Sequence, residues 1–176
     1  IGVYEDEIRL AGDAITEQRG ENKICESKAQ ASMALDEIIY KTRGFNTYQD
    51  FKLLQSKLIV AFYVLNIENF VPRNNLYTLI ILPWNGIDDN VNNYIRLNKK
   101  AQPVKIIVNT SKTSNATGAQ DFKISQELKE LLIAYMRSAG KLGDEYLFTK
   151  KNGQPYDSPS MSVMVSNAFV DVVGKR

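Results

Sequence analysis

The chain has 176 residues, 44% of them hydrophobic, enough for one core or for one domain and part of another. It contains no histidine and a single cysteine, Cys25, which excludes zinc-finger spacings, Ser-His-Asp triads, histidine general bases and an internal disulfide framework. Net charge is +2 but uneven: residues 1–95 hold 9 Lys/Arg against 13 Asp/Glu, and residues 96–176 hold 13 against 7, a basic half suited to a polyanion.

The longest apolar run, Leu58 to Leu65, falls far short of the roughly 20 residues a membrane span requires, so no membrane partner is expected. The first residue is Ile, with no charged-then-apolar leader after it, and the sequence reads as an excerpt or processed product rather than a secretory precursor. The lone cysteine fits a reducing compartment.

Residues 1–24 are polar and acidic, with helical spacing around Ile8, Leu10 and Ile15, and read as a linker or the end of a preceding domain. Asn22 or Ser27 is placed to cap a helix from Ala29 to Thr42, with Met33, Ile38 and Ile39 inward and Gly44 as its stop. Tyr48 to Ile67 carries the strongest helical pattern: Phe51, Leu54, Leu58, Ala61, Phe62 and Leu65 recur at three- and four-residue spacing. Val71-Pro72 ends it, because the residue before proline is pushed out of helical geometry.

An apolar stretch, Leu76 to Leu82, leads into a loop rich in breakers, Pro83-Trp84-Asn85-Gly86 and Asp88-Asp89-Asn90. Three strands follow, Asn93–Leu97, Val104–Val108 and Phe122–Ile124, expected to form a small antiparallel sheet. Between the last two, the polar tract Asn109 to Gln120 reads as a mobile hairpin tip. Ser125 caps a helix to Met136, Gly140 stops it, Tyr146–Phe148 is a brief strand, Lys151–Pro155 a turn, and Ser160–Val173 a last helix. No internal repeat is present. The order predicts a mainly helical α+β domain rather than a doubly wound sheet.

Two polar features stand out. Arg73, in Val-Pro-Arg-Asn-Asn-Leu, either caps the carbonyls of the preceding helix and pairs with Glu68, or presents its guanidinium fork to two phosphate oxygens. Lys112, in the hairpin tract, is either a solvated surface lysine or a proton donor to a departing oxygen.

Taken in order, the residues resemble tyrosine recombinases, in particular the integrases of large DNA viruses and virophages. The resemblance runs through Lys28-Ala29-Gln30 and Leu35-Asp36-Glu37-Ile38, then Gln55 with the run Leu58 to Leu65, then Pro72-Arg73-Asn74-Asn75. It continues through Asn93-Tyr94-Ile95, the tract Val108 to Gly118 ending in Gln120, Ile124 to Leu128, and Tyr146-Leu147-Phe148 with Asn152 to Pro155. Roughly residues 25–170 are covered, so that residues 25–176 match the first part of a catalytic domain.

The resemblance implies site-specific DNA recombination or integration through a 3′-phosphotyrosyl intermediate, with no metal or other cofactor. It places Arg73 on the family's first catalytic arginine and Lys112 on its hairpin lysine; Lys99, Lys100 and Lys105 join these two as candidate DNA contacts. Double-stranded DNA is the implied partner, bound by a dimer or tetramer. Three departures count: Asn75 stands where the family has an acidic residue, and the His-x-x-Arg motif and nucleophilic tyrosine would lie beyond Arg176. The chain alone is therefore expected to be catalytically incomplete. The alternatives are a recombinase-fold DNA-binding or architectural module without catalysis, and a helical protein-interaction domain. A continuous helix through Val104–Val108, or a parallel sheet, would sink the family assignment.

Overall fold

The computed structural model of the chain describes residues 35–43, 50–73, 75–111 and 118–174. The sheet, the long helices and the cleft described below belong to the unit Ile38–Arg176. Residues 35–43 are helical (α1), which covers the latter part of the helix expected to Thr42; its proposed caps Asn22 and Ser27, its stop Gly44, and Met33 lie outside the described residues. Thr42 is fully buried, its Oγ1 donating to the Ile38 carbonyl at 2.6 Å.

Helix α2 spans Phe51–Val64. It is buried on more than the single stripe its apolar spacing marks: Ser56 and Lys57 are enclosed along with Leu58, Ile59, Val60, Ala61 and Phe62. A helix flanked by two others loses its solvent face. Here α3 (Gln126–Ala139) and α4 (Ser158–Val173) both pack on it. Phe51 stacks on Tyr135 of α3 at 5.5 Å, while Tyr63 meets Phe169 of α4 at 5.9 Å and Ser56 Oγ donates to Asp171 Oδ2 at 2.9 Å.

The helix stops at Val64, three residues short of Ile67. Asn66 is the cause. It is 1% exposed, and its carbonyl accepts from the backbone N–H of Asn69 and Phe70. Its side-chain Nδ2 donates to the Phe70 and Lys123 carbonyls, and its Oδ1 accepts from Asn69 Nδ2 and from the Ser125 N–H at 2.8 Å. A short amide that satisfies neighbouring backbone groups competes with helix continuation.

Both later helices have the ends that their sequences encode. Ser125 Oγ accepts from the Leu128 N–H and Gly140 adopts φ 67°, so α3 runs to Ala139, one turn past Met136. Helix α4 begins at Ser158, two residues before the expected Ser160, with Asp157 as its cap and Pro159 in the first turn.

The sheet differs from the expected three antiparallel strands. It has five, β1 (Leu79–Leu82), β2 (Asn93–Leu97), β3 (Pro103–Val108), β4 (Gln120–Lys123) and β5 (Glu145–Tyr146), in the order β4-β3-β2-β1-β5. The β2-β3-β4 meander is antiparallel as expected, and Val104–Val108 is a strand. The added pair β1–β2 is parallel, so the sheet is mixed; β5 is antiparallel to β1 and replaces the strand expected over Tyr146–Phe148. Strand β1 escaped the pattern because both its faces are covered, and a doubly covered strand reads as an unbroken apolar run, here Leu-Ile-Ile-Leu.

Paired register puts Ile81, Ile95 and Ile106 on one face and Ile80, Tyr94 and Ile107 on the other. The second face, with Leu82, forms a small cluster of its own. The connection of residues 83–92 folds back along it: Arg96 Nη2 donates to the Trp84 carbonyl at 3.2 Å, and Tyr94 hydrogen-bonds Asp89. Among the described residues no helix is long and apolar enough to cross a membrane.

Candidate nucleic-acid interface

A cleft of about 1010 Å³ opens where the segment after α2, the start of β2 and the open end of the β3–β4 pair come together. Arg73, Asn75, Tyr77 and Thr78 contribute from the first, Asn92 and Asn93 from the second, and Thr110, Ser111 and Gln120 from the third; Tyr146 and Tyr156 complete the wall. Arg73 is the single charged side chain among the described lining residues, and no carboxylate lines it.

Arg73 is exposed and sits nine residues past the end of α2. Its guanidinium makes no hydrogen bond or ion pair among the described residues, so the capping role and the pairing with Glu68 are not what the structure contains. What fixes this residue is its backbone: the Arg73 N–H donates to Asn75 Oδ1 at 3.1 Å. Asn75 thus serves as a turn residue at the position where the resemblance called for an acid. A fork without a partner or a carboxylate beside it among the described residues suits an oxyanion that presents two oxygens side by side.

From Asn75 a hydrogen-bonded relay crosses the cleft floor. The Asn75 carbonyl accepts from Thr78 Oγ1 at 2.6 Å, and Thr78 Oγ1 in turn accepts from Asn93 Nδ2 at 2.9 Å. Asn93, 2% exposed, also donates through Nδ2 to the Thr110 carbonyl at 3.0 Å. Its Oδ1 accepts from the N–H groups of Asn109 at 2.8 Å and Thr110 at 2.9 Å. Thr110 Oγ1 donates to the Val91 carbonyl. Asn109 Nδ2 donates to Asp88 Oδ1 and the Asn92 carbonyl, both at 2.7 Å, while Asn109 Oδ1 is buried without a partner. The segment holding Arg73 and the segment that leads into Lys112 are therefore tied to one buried amide.

Lys112 itself, with the rest of the hairpin tip 112–117, lies outside the described residues. Ser111, the residue before it, and Gln120, on the returning strand, both line the cleft.

The other three candidate lysines are not brought to this site. Lys99 and Lys100 lie in the turn between β2 and β3, at the opposite end of β2 from Asn93, with Lys99 Nζ 5.3 Å from the centre of the Trp84 ring. Lys105 is paired with Asp121 at 2.6 Å across the β3–β4 ladder. A lysine already matched to a carboxylate offers little net charge to a phosphate.

Sequence reasoning missed the roles of Asn75, Thr78 and Asn93. One signal was present: asparagine is depleted in strands, so an Asn opening an apolar strand points to a polar group with backbone partners to satisfy.

The acidic loop beside the cleft holds one carboxyl through its own backbone. Backbone N–H groups of Asn92 and Val91 hold the Asp89 carboxyl down at about 2, assisted by the Tyr94 hydroxyl and the Asn92 side chain against a small opposing effect of burial. Burial, then the Asp89 hydrogen bond, pushes the Tyr94 hydroxyl up. Among the described residues no group of three or more His, Cys, Asp or Glu could hold a metal ion.

Comparison with family models, with curated proteins and with solved structures finds no match to this chain.

Proposed function

We propose that the chain carries the first part of a DNA strand-transfer domain of the tyrosine-recombinase type, in which Arg73 grips the phosphate at the reacting position. The observation that supports this reading is the Arg73 guanidinium, unpaired and the single charged group of its cleft among the described residues, with Ser111, the neighbour of Lys112 in sequence, on the lining of the same cleft. In this chemistry a tyrosine attacks a DNA phosphate, displacing the 5′ oxygen and forming a phosphotyrosyl bond; a second hydroxyl then reverses the attack. Negative charge grows on the non-bridging oxygens during each step. A fixed guanidinium fork lowers that barrier, and losing one preorganised donor typically costs about a hundredfold or more. Lys112 would deliver the proton that the leaving 5′ oxygen needs. In such a domain these two groups would come from this chain's residues, and the nucleophilic tyrosine would have to be supplied in addition.

The second reading is a DNA-binding module of the same fold without catalysis. Asn75 favours it, since the family's acid is replaced by an amide spent on the Arg73 backbone. Duplex titration separates a DNA role from none: affinity should fall steeply with salt as counterions are released, and should weaken in Arg73→Ala. Absence of binding at low salt would remove both readings. Enzyme and inactive module separate in a longer form carrying the recombinase tyrosine, by covalent adduct formation on nicked DNA.

A further inference from the structure

Duplex phosphates are met by cations and by polar side chains, tyrosine hydroxyls among them, whereas exposed ring faces free for stacking serve unpaired bases. This cleft holds three such rings. Tyr77, Tyr146 and Tyr156 all line it, and each is partly exposed. Among the helices, Phe51, Phe62, Tyr63, Tyr135, Phe148 and Phe169 are all engaged ring against ring. None of the three cleft tyrosines stacks on another ring among the described residues. The two phenylalanines of the same wall, Phe70 and Phe122, pack on each other at 4.8 Å. Tyr156 has the Lys150 ammonium 6.0 Å from its ring centre, and that ammonium is itself paired with Asp157 Oδ2 at 3.8 Å, which leaves Arg73 as the cation of the cleft.

The neutral amides of Asn75 and Gln120 line the same cleft as the rings and Arg73. Rings for stacking, amides for base edges and one cation for a phosphate are the elements with which proteins hold unpaired nucleotides. The cleft's about 1010 Å³ is at the upper end of the roughly 300–1,000 Å³ typical of small-molecule sites, room for more than one nucleotide.

We infer that the cleft takes a DNA strand with unpaired bases, its bases stacked on Tyr77, Tyr146 and Tyr156 while its phosphate meets Arg73. This rests on the DNA reading above and narrows it: the strand held here has left the duplex stack.

The test is fluorescence polarisation of the 176-residue chain at low salt with three labelled ligands. These are an oligothymidine of about twelve nucleotides, a backbone of equal length and charge lacking bases, and the matching duplex. The oligothymidine is expected to bind most tightly, beyond the baseless strand by roughly five- to a hundredfold for each stacked base. Tyr77→Ala and Tyr156→Ala should each reduce that advantage, and Tyr77→Phe should keep it; thermal melts confirm that each variant folds. The comparison between strands with and without bases uses the unaltered protein, so it stands even if a variant does not fold. Equal affinity for the two strands, or preference for duplex, overturns the inference and leaves the DNA reading intact. If none of the three ligands binds, both fall together.

Discussion

The side chain of Asn93 pairs with the backbone of Thr110 in both directions, accepting from its N–H at 2.9 Å and donating to its carbonyl at 3.0 Å. The amide thus imitates a strand residue just where the β2–β3 ladder gives out after Tyr94↔Ile107. Ladder bonds alone would leave the segment before Lys112 loose; the Asn93 side chain extends the pairing by one residue and passes it on to Thr78 and the Arg73 turn.

Asn93→Ala should strand the Asn109 and Thr110 N–H groups, at about 1–3 kcal/mol for each unsatisfied buried group. A loss of about 2–4 kcal/mol in all is expected, or a fall of roughly 5–15 °C in Tm for a domain of this size. Asn93→Asp retains both acceptor contacts and loses the two donations, so it should lie between Ala and wild type. Urea and thermal unfolding measure this; an Asn93→Ala protein as stable as wild type would remove the hub from the account.

Arg73→Ala should leave stability within about 0.5 kcal/mol, because an exposed side chain without partners holds nothing together. Its effect belongs to binding: weaker duplex affinity and a log–log salt dependence shallower by about one. Arg73→Lys should restore the slope but not the affinity, since a point charge lacks the bidentate grip. Unfolding of Arg73→Ala in a thermal melt would reinstate the capping role.

Removing charge elsewhere should matter less. Lys105→Ala frees Asp121 as well as deleting a cation, and Lys99→Ala and Lys100→Ala act at the opposite end of β2 from the cleft. Each should lower duplex affinity less than Arg73→Ala or Lys112→Ala in the same titration. In a longer form bearing the recombinase tyrosine, only Arg73→Ala and Lys112→Ala should strongly slow covalent adduct formation on nicked DNA. A larger loss from Lys99 or Lys100 would move the DNA surface to the β2–β3 turn.

Leu58→Ala tests the all-round burial of α2. Leu58 is 0% exposed, and emptying such a site costs about 2–5 kcal/mol according to how far its neighbours can close in. Phe51→Ala, at an exposed first turn, should cost clearly less. Equal destabilisation by the two would contradict the placement of α2 between α3 and α4.

The acid limb of stability should carry a contribution from Asp89. Its carboxyl is held at about 2, below the ordinary 3.8, so its stabilising effect is complete above the ordinary value. That effect fades as pH drops through the window down to about 2. Tm recorded from about pH 5 to pH 2 should fall more gently in Asp89→Asn, which starts lower and has no charge to lose. Parallel curves for the two proteins would assign the acid sensitivity to other carboxylates.

Elements governed by nearest neighbours were legible in the chain. Ser125, Gly140 and the spacing of Leu128, Leu131, Leu132 and Tyr135 define α3 almost to the residue, because caps and helical periodicity act within a few positions. The alternation in Asn93–Leu97 and the β-branched run to Val108 define the meander for the same reason. Arg73 and Lys112 could be singled out as chemistry-bearing residues, but each retained a structural alternative, since local sequence does not say what a side chain faces.

Partners far along the chain decided the rest. Leu79–Leu82 became a strand only because β2 and β5 flank it, fourteen and more than sixty residues away. Asn66 ended α2 through Lys123 and Ser125, and Asn93 joined Thr78 to Thr110. The sequence by itself determined where the chain turns, coils and extends, through propensities that act over one or two turns of backbone. Only the tertiary structure decided which buried amides find backbone partners and which cation is left unmatched, because desolvation and pairing depend on groups that folding alone brings within hydrogen-bonding distance.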